Sequence, residues 1–330
     1  MFESTTKSCT QNGVRGGSST THFPFWHKEI EDILVLKNNR GTDDNRVRKM
    51  DYSIQFCRLF YRRFVEDQSI TLFSPHEVPD LFEAFGYDND KFEELYEQYE
   101  RSRTIYKKKI KARALFNHFC KERIETGRMY VMNLDHCNDH SSFNDKIKMS
   151  NLCQEITLPT TPLNHIDDND ETDSEIALCV LSAINVGDVT LKEIPDVCMN
   201  IVRSLDAVIE HQFYPVKASM KMLKRRSIGV GITNLAYYIA KNGLTYDDPK
   251  TCNLVDELME HIQFYMIKAS VKLAKEKGKC EWFDRTKYSK GILPIDTYCK
   301  SVDKVVTRKL KLPWEKLRKE VKDHGMRNST

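Results

Sequence analysis

The most chemical stretch of the sequence is Ser150, Asn151, Leu152, Cys153, Gln154, Glu155 and Ile156. Read as an extended strand it alternates, so Asn151, Cys153 and Glu155 share one face and Leu152, Gln154 and Ile156 the other. One face then offers an amide, a thiol and a carboxylate in a row, the reverse of an ordinary core strand. A carboxylate in hydrogen-bond reach can take a proton, and a pair of thiols can supply two electrons. The competing reading is an edge strand whose polar face meets water, with Cys153 a small half-buried filler. A second thiol, Cys179, sits in another apolar stretch, 176–181. If the two stretches were antiparallel neighbours their sulfurs would approach, but periodicity does not decide that.

The elements that must position these residues are read from periodicity and turn residues. Residues 9–21 are loop-like, with three glycines, hydroxyl side chains and a lone Arg15. Residues 33–36 predict a short strand, and 50–64, 90–99 and 106–126 predict helices, the last stopped by Gly127. Strands are expected at 128–133, 151–158 and 176–181. Between the last two, 159–173 carries two prolines and the acids Asp167, Asp168, Asp170, Glu171 and Asp173, an exposed excursion. Helices resume at 194–212, 231–242, 249–277 and 313–323, with Pro249 and Pro313 in first turns and Gly278 at a stop. Strands separated by helices favour an α/β architecture.

Composition sets outer bounds. With 40% hydrophobic and 30% charged residues in 330, a wholly disordered or collagen-like chain is excluded. No apolar run approaches the roughly 20 residues of a membrane helix, and the first residues are polar, so neither a span nor a secretory signal is expected and a cytoplasmic location is. The 51 basic residues nearly balance 48 acids, and a net charge of +3 falls short of a nucleic-acid footprint. Ten cysteines without a dense framework read as reduced thiols; Cys57, Cys120, Cys198, Cys252, Cys280 and Cys299 are most simply core or surface groups. Gly229-Val230-Gly231 follows Lys224-Arg225-Arg226 rather than a clear strand, which rejects a dinucleotide fingerprint. His136, Cys137 and His140 match no closed four-ligand zinc pattern, so no metal is expected. The basic run 107–113, preceded by Glu93, Glu94, Glu97 and Glu100, reads as a solvated face.

SNLCQEI at 150–156, followed by LPT, PLN and then EIALC-x-LSA-x-N, resembles the large catalytic subunit of class I ribonucleotide reductase. The likeness runs along the chain through CTQNGVRGG, LVLKNNRG, NRVR-x-MDY, TLFSPHEVP, GR-x-Y-x-x-N-x-DHCN, RRSIGVG, KGILPIDTY and the closing HGMRNST. It implies an α/β barrel of ten strands in two antiparallel halves, with flanking helices and a finger loop carrying the radical cysteine. Residues 1–330 would be the central part of that barrel domain, hence a partial barrel. By the resemblance, Cys153 is the thiyl-radical residue that abstracts the 3′ hydrogen of the ribose. Glu155 is the base for the 3′ hydroxyl proton, Asn151 the amide that orients the sugar hydroxyls, and Cys179 one of two reducing thiols that become a disulfide as water leaves. Residues Cys9, Gln11, Asn12, Gly13, Val14, Arg15, Gly16 and Gly17 resemble the loop that relays the identity of an allosteric nucleoside triphosphate (ATP or a deoxynucleotide) to the substrate base. Gln11 and Arg15 can bond to or stack on a base, and Asn12, where the family has glycine, tolerates left-handed backbone.

The implied activity is reduction of ribonucleoside diphosphates to deoxyribonucleotides, DNA precursors. The implied partners are a small subunit whose di-metal centre supplies the radical, and thioredoxin or glutaredoxin as dithiol reductant; no metal is implied in this chain. The family's upstream and downstream parts are not in it, and the end inside HGMRNST suggests an interrupted gene. The expectation is therefore one piece of a split subunit, completed by further large-subunit fragments and inactive alone. Two other readings stand beside it: a truncated, inactive remnant, and a nucleotide-binding regulatory module without chemistry.

Overall fold

Local pattern alone does not separate every strand from its neighbouring helix here. The computed structural model describes every residue except Gln11, Asn164, 167–173 and Thr330. It forms β1 (Thr20–Pro24), β2 (Asp51–Phe56), β3 (Ser69–Leu72), β4 (Lys108–Lys111), β5 (Met129–Asn133), β6 (Val180–Asn185) and β7 (Ile228–Thr233). β2 lies between β1 and β5 in a parallel sheet, with Thr20 opposite Asp51 and Tyr52 opposite Met129. Tyr52, Ile54 and Phe56 alternate with Asp51, Ser53 and Gln55, the period of a strand, and Tyr52 to Phe56 are all buried. The stretch 50–64 is thus a strand followed by the helix Arg58–Val65, not one helix.

Other expectations change for equally local reasons. Residues 33–36 do not form a strand: Ile30 and Leu34, four apart, are both buried on the short helix Ile30–Leu34. The start of 106–126 is β4, antiparallel to β3, before the helix Ala112–Thr126 ends at left-handed Gly127. The strand expected at 176–181 begins at Val180 and continues to Asn185, and 151–158 is not a strand at all. β7 takes the start of 231–242, leaving the helix Leu235–Lys241, so Gly229 and Gly231 sit within a strand rather than in a strand-to-helix turn. β6 pairs with β7 in parallel. None of the three sheets closes on itself among the described residues.

The chain divides into two compact units: Met1–Ser141 with Lys146–Thr157, and Ser142–Asp145 with Leu158–Thr330. The first is built on aromatic packing. Phe25, Trp26, Phe56, Phe60, Phe73, Phe92 and Tyr96 are fully buried, with ring centroids 4.3 Å apart for Phe56–Phe60 and 5.2 Å for Phe25–Phe60. At its margin Glu100 receives both Arg63 Nη atoms at 2.7 Å and Thr71 Oγ1 at 2.6 Å. Burial pushes the Glu100 carboxyl up, but those hydrogen bonds and the Arg63 charge outweigh it and hold it below its ordinary value.

In the second unit the helices Ile194–His211 and Pro249–Lys277 pack together through Cys198, Val202, Leu258, Ile262 and Leu273. Its interior also carries charge. Arg225, 2% exposed, makes a bidentate pair with Glu175 at 2.7 and 2.8 Å, donates to Asp145 at 3.1 Å, and stacks 4.8 Å from the Trp282 ring centroid. Next to it, fully buried Asp206 accepts from Arg226 Nε (2.7 Å), Arg327 Nε (3.2 Å) and Asn328 Nδ2 (3.2 Å). Ser329 closes the set: its hydroxyl donates to Arg225 O at 2.6 Å and its carbonyl accepts from Ile228 N, the first residue of β7. The RRSI and RNS motifs thus brace one another. Among the described residues no helix is long and apolar enough to cross a membrane.

Removing Glu175 leaves the Arg225 guanidinium buried with only Asp145 to offset it. Glu175→Ala is expected to destabilise the second unit by about 3–5 kcal/mol, read by urea unfolding; a loss under about 1 kcal/mol refutes this. For Glu100 the depressed folded value means stability is fully present above about pH 4.3 and lost as pH falls through the folded value. Glu100→Gln should therefore be less stable at neutral pH and lose less on acidification, measured by denaturation at a series of pH values.

Candidate active site

A single asparagine shapes the stretch 150–156. Asn151 N donates to Ile156 O at 3.2 Å while its Oδ1 accepts from Ile156 N at 3.0 Å, so one residue closes the loop through both backbone and side chain. Ser150 Oγ adds a 2.6 Å bond to Ile156 O. Inside the closure Gln154 N donates to Asn151 O at 3.2 Å, a tight turn whose last residue, Gln154, has φ +67°. That left-handed conformation is uncommon outside glycine and inverts the chain direction at the tip. Strict alternation of side chains fails, because there is no strand to alternate. What brings Asn151, Cys153 and Glu155 together is a turn of six residues, and Cys153 and Glu155 both project from it exposed. Asn151 is half-buried, and among the described residues its Nδ2 makes no hydrogen bond.

Three side chains from the parallel sheet hold this finger. Thr20 Oγ1 donates to Leu152 O at 2.8 Å and His22 Nε2 meets Ser150 O at 3.1 Å. Gln55, buried in β2, donates through Nε2 to Lys148 O at 2.7 Å just before the turn. The DHCN motif supplies further braces. Asp135 accepts from Arg58 N at 2.8 Å, and Asn138 donates to Ile147 O and accepts from Ile147 N at 3.0 and 2.9 Å. His136 and His140 face each other on the helix Leu134–His140 with ring centroids 6.1 Å apart. Among the described residues no three His, Cys, Asp or Glu side chains converge as a metal-ligand group. Sequence spacing gave no sign of Thr20 or His22: they lie 132 and 128 residues from their finger partners.

Cys179 belongs to the second unit. It is half-buried immediately before β6, its thiol 3.8 Å from Val180 O. The antiparallel pairing that would have set its strand beside 151–158 does not occur: that stretch is a turn, and β6 is paired with β7.

The loop 9–17 joins the helix Phe2–Ser8 to β1. Cys9, Asn12, Gly13, Val14, Arg15 and Gly16 are exposed, Val14 at 92%, and Gln11 lies outside the described residues. Asn12 has φ +51° and Gly13 φ +72°, so Asn12 takes the backbone region its side chain tolerates. Gly17 is required for a different reason. A Cβ there would lie 2.0 Å from Thr6 O and 2.4 Å from Cys9 O, inside van der Waals contact with backbone. Thr6 Oγ1 and Ser19 Oγ, 2.9 Å apart, tie the same helix to the loop's exit.

The family model described as ribonucleotide reductase, barrel domain, matches residues 1–330. The ribonucleoside-diphosphate reductase subunit alpha of Haemophilus influenzae is 51% identical over 334 residues, covering 100% of this chain and 44% of that protein. The corresponding subunit 1 alpha of Escherichia coli is 49% identical over 333 residues and that of Enterobacteria phage T4 43% over 336, again with 100% of this chain and 44% of each relative covered. The chain thus spans less than half the length of these relatives. With a match running unbroken from the exposed loop through the finger to the closing HGMRNST, the chain belongs to the ribonucleotide reductase family, within its barrel domain.

Proposed function

We propose that this chain forms the central part of the catalytic subunit of ribonucleoside-diphosphate reductase and carries out, with the remaining length of that subunit, thiyl-radical reduction of ribonucleoside diphosphates to deoxyribonucleoside diphosphates. The observation that carries the reading is the finger: a turn closed by Asn151 from which Cys153 and Glu155 both project exposed.

The roles follow from the chemistry of the groups. A radical delivered to Cys153 by a small subunit with a di-metal centre leaves a thiyl that takes the 3′ hydrogen atom of the ribose. Glu155 accepts the 3′ hydroxyl proton, which makes loss of the protonated 2′ hydroxyl as water feasible. The free Nδ2 of Asn151 can donate to a sugar hydroxyl, since its Oδ1 is committed to Ile156 N. Cys179 and a second cysteine outside this chain supply two electrons and two protons and become a disulfide. Cys153 then returns its hydrogen atom to C3′ and regains the thiyl. The net change is one ribonucleotide and one dithiol to one deoxyribonucleotide, water and one disulfide. A thioredoxin or glutaredoxin dithiol, in the reducing cytoplasm, restores the pair. Residues 9–17 are the loop that relays the identity of a nucleoside triphosphate effector, ATP or a deoxynucleotide, to the substrate base, with Arg15 exposed to stack on or bond to a base.

In the complete large subunit with its small subunit, Cys153→Ser should abolish deoxycytidine diphosphate formation. Glu155→Gln should lower kcat by roughly 10²- to 10⁴-fold, and Cys179→Ser should block turnover with dithiol; wild-type turnover in Cys153→Ser refutes the assignment. Gly17→Ala, which forces the loop off the Thr6 and Cys9 carbonyls, should reduce the dependence of substrate choice on added deoxynucleotide while leaving the fold intact by circular dichroism. An unchanged effector response in that variant removes the loop from the proposal.

A further inference from the structure

The tip of the finger is under local strain. Gln154 at φ +67° carries a side chain in a backbone region that L-residues rarely adopt, so the turn persists only where its surroundings over-determine it. The Asn151 closure fixes the base of the loop and leaves its tip to other contacts.

Those contacts come from one face of β1. Thr20 and His22, two residues apart on a strand, share that face. The hydroxyl of Thr20 reaches Leu152 O at 2.8 Å, and the ring of His22 reaches both ends of the turn: Nε2 is 3.1 Å from Ser150 O, and Nδ1 is 3.5 Å from Gln154 Nε2. The chemistry of the partners assigns every proton. A carbonyl oxygen only accepts, so His22 Nε2 carries hydrogen; Nδ1 is then a bare acceptor, and the Gln154 amide donates to it. The imidazole is neutral and each nitrogen meets its complement. Burial favours the same form, moving the ring's pKa below the ordinary histidine value against the opposing pull of the Ser150 carbonyl.

We propose that His22 is a positioning residue for Cys153: its neutral ring bridges Ser150 and Gln154, spans the turn that carries the thiol, and fixes the direction in which the sulfur projects. The reach from Ser150 to Gln154 brackets Cys153 on both sides, so loss of the ring frees the left-handed tip to relax. The assignment rests on the reductase reading for its catalytic consequence but not for the brace itself. A thiol that must meet one sugar hydrogen is sensitive to small displacement, since misplacement of about 1 Å costs on the order of 10²-fold in rate. The ring's bonds are to the turn itself, at Ser150 and Gln154, so the expected effect of losing them falls on kcat.

Two readouts test it. Amide hydrogen exchange in the 150–157 peptide of this full 330-residue chain should accelerate about tenfold in His22→Phe, which keeps a ring and removes both nitrogens. It should stay near wild type in His22→Gln, which keeps a donor for Ser150. Gln154→Leu, at the half-buried tip, gives the same acceleration if His22→Phe does not fold. In the complete holoenzyme His22→Phe should lower kcat by roughly 10- to 100-fold with KM unchanged, and His22→Gln should recover most of it. Exchange unchanged in both His22→Phe and Gln154→Leu overturns the brace. Faster exchange with an unchanged kcat overturns the positioning role. A wild-type holoenzyme that reduces no ribonucleotide refutes the reductase reading instead, and the exchange comparison still decides the brace.

Discussion

The arrangement around Cys153 depends on one residue bonding twice to one partner. Asn151 offers its backbone N–H to Ile156 O and its side-chain oxygen to Ile156 N, so the loop is shut by a pair of opposed hydrogen bonds rather than by strand pairing. Each such bond contributes only about 0.5–1.5 kcal/mol net, yet both fail together if the side chain changes, because the backbone geometry that makes one possible also makes the other. An asparagine suits this better than aspartate. Its carbonyl oxygen serves the loop, and its amide hydrogens stay available without placing a second negative charge beside Glu155.

The surroundings of the loop follow a division of labour by element. Residues of the parallel sheet reach across long sequence separations to hold the finger, while residues of the DHCN helix hold the chain that leads into it. Asn138 grips both polar backbone groups of Ile147, and Gln55 takes the carbonyl of Lys148. Polar side chains that are buried or half-buried in this unit therefore act mostly on backbone, satisfying N–H and C=O groups that an irregular segment cannot pair with itself. Charge also neutralises charge in each unit: Arg63 with Glu100 in the first, and in the second Arg225 between Glu175 and Asp145, with Asp206 among Arg226, Arg327 and Asn328.

The sequence discloses these features unevenly. The helices Asn89–Arg101, Ile194–His211 and Pro249–Lys277 are evident because one face of each is apolar at a period of 3.6 and their ends carry caps or stops. β2 alternates polar and apolar residues but is hidden because it runs, after Cys57 alone, into the helix Arg58–Val65, so the two read as one apolar-periodic stretch, and β7 because its glycines read as punctuation. The chemical residues of the finger stand out by type, but their geometry does not. Alternation assigns Asn151, Cys153 and Glu155 to one face of a strand, whereas the positive φ at Gln154 makes a turn. Nothing in a glutamine announces that conformation. His22 and Thr20 escape notice for a related reason: each bonds to a main-chain carbonyl more than a hundred residues away, a contact that leaves no trace in local pattern.

The glycine at position 17 has a thermodynamic corollary. With the Thr6 and Cys9 carbonyls filling the space a side chain at position 17 would need, and Thr6 bonded to Ser19, the two ends of the exposed loop are held together at the neck. What is left to order is the short span between Asn12 and Gly16, not the whole stretch from the first helix to the sheet. Fixing a short span that is already held at its neck costs less chain entropy than fixing a long one.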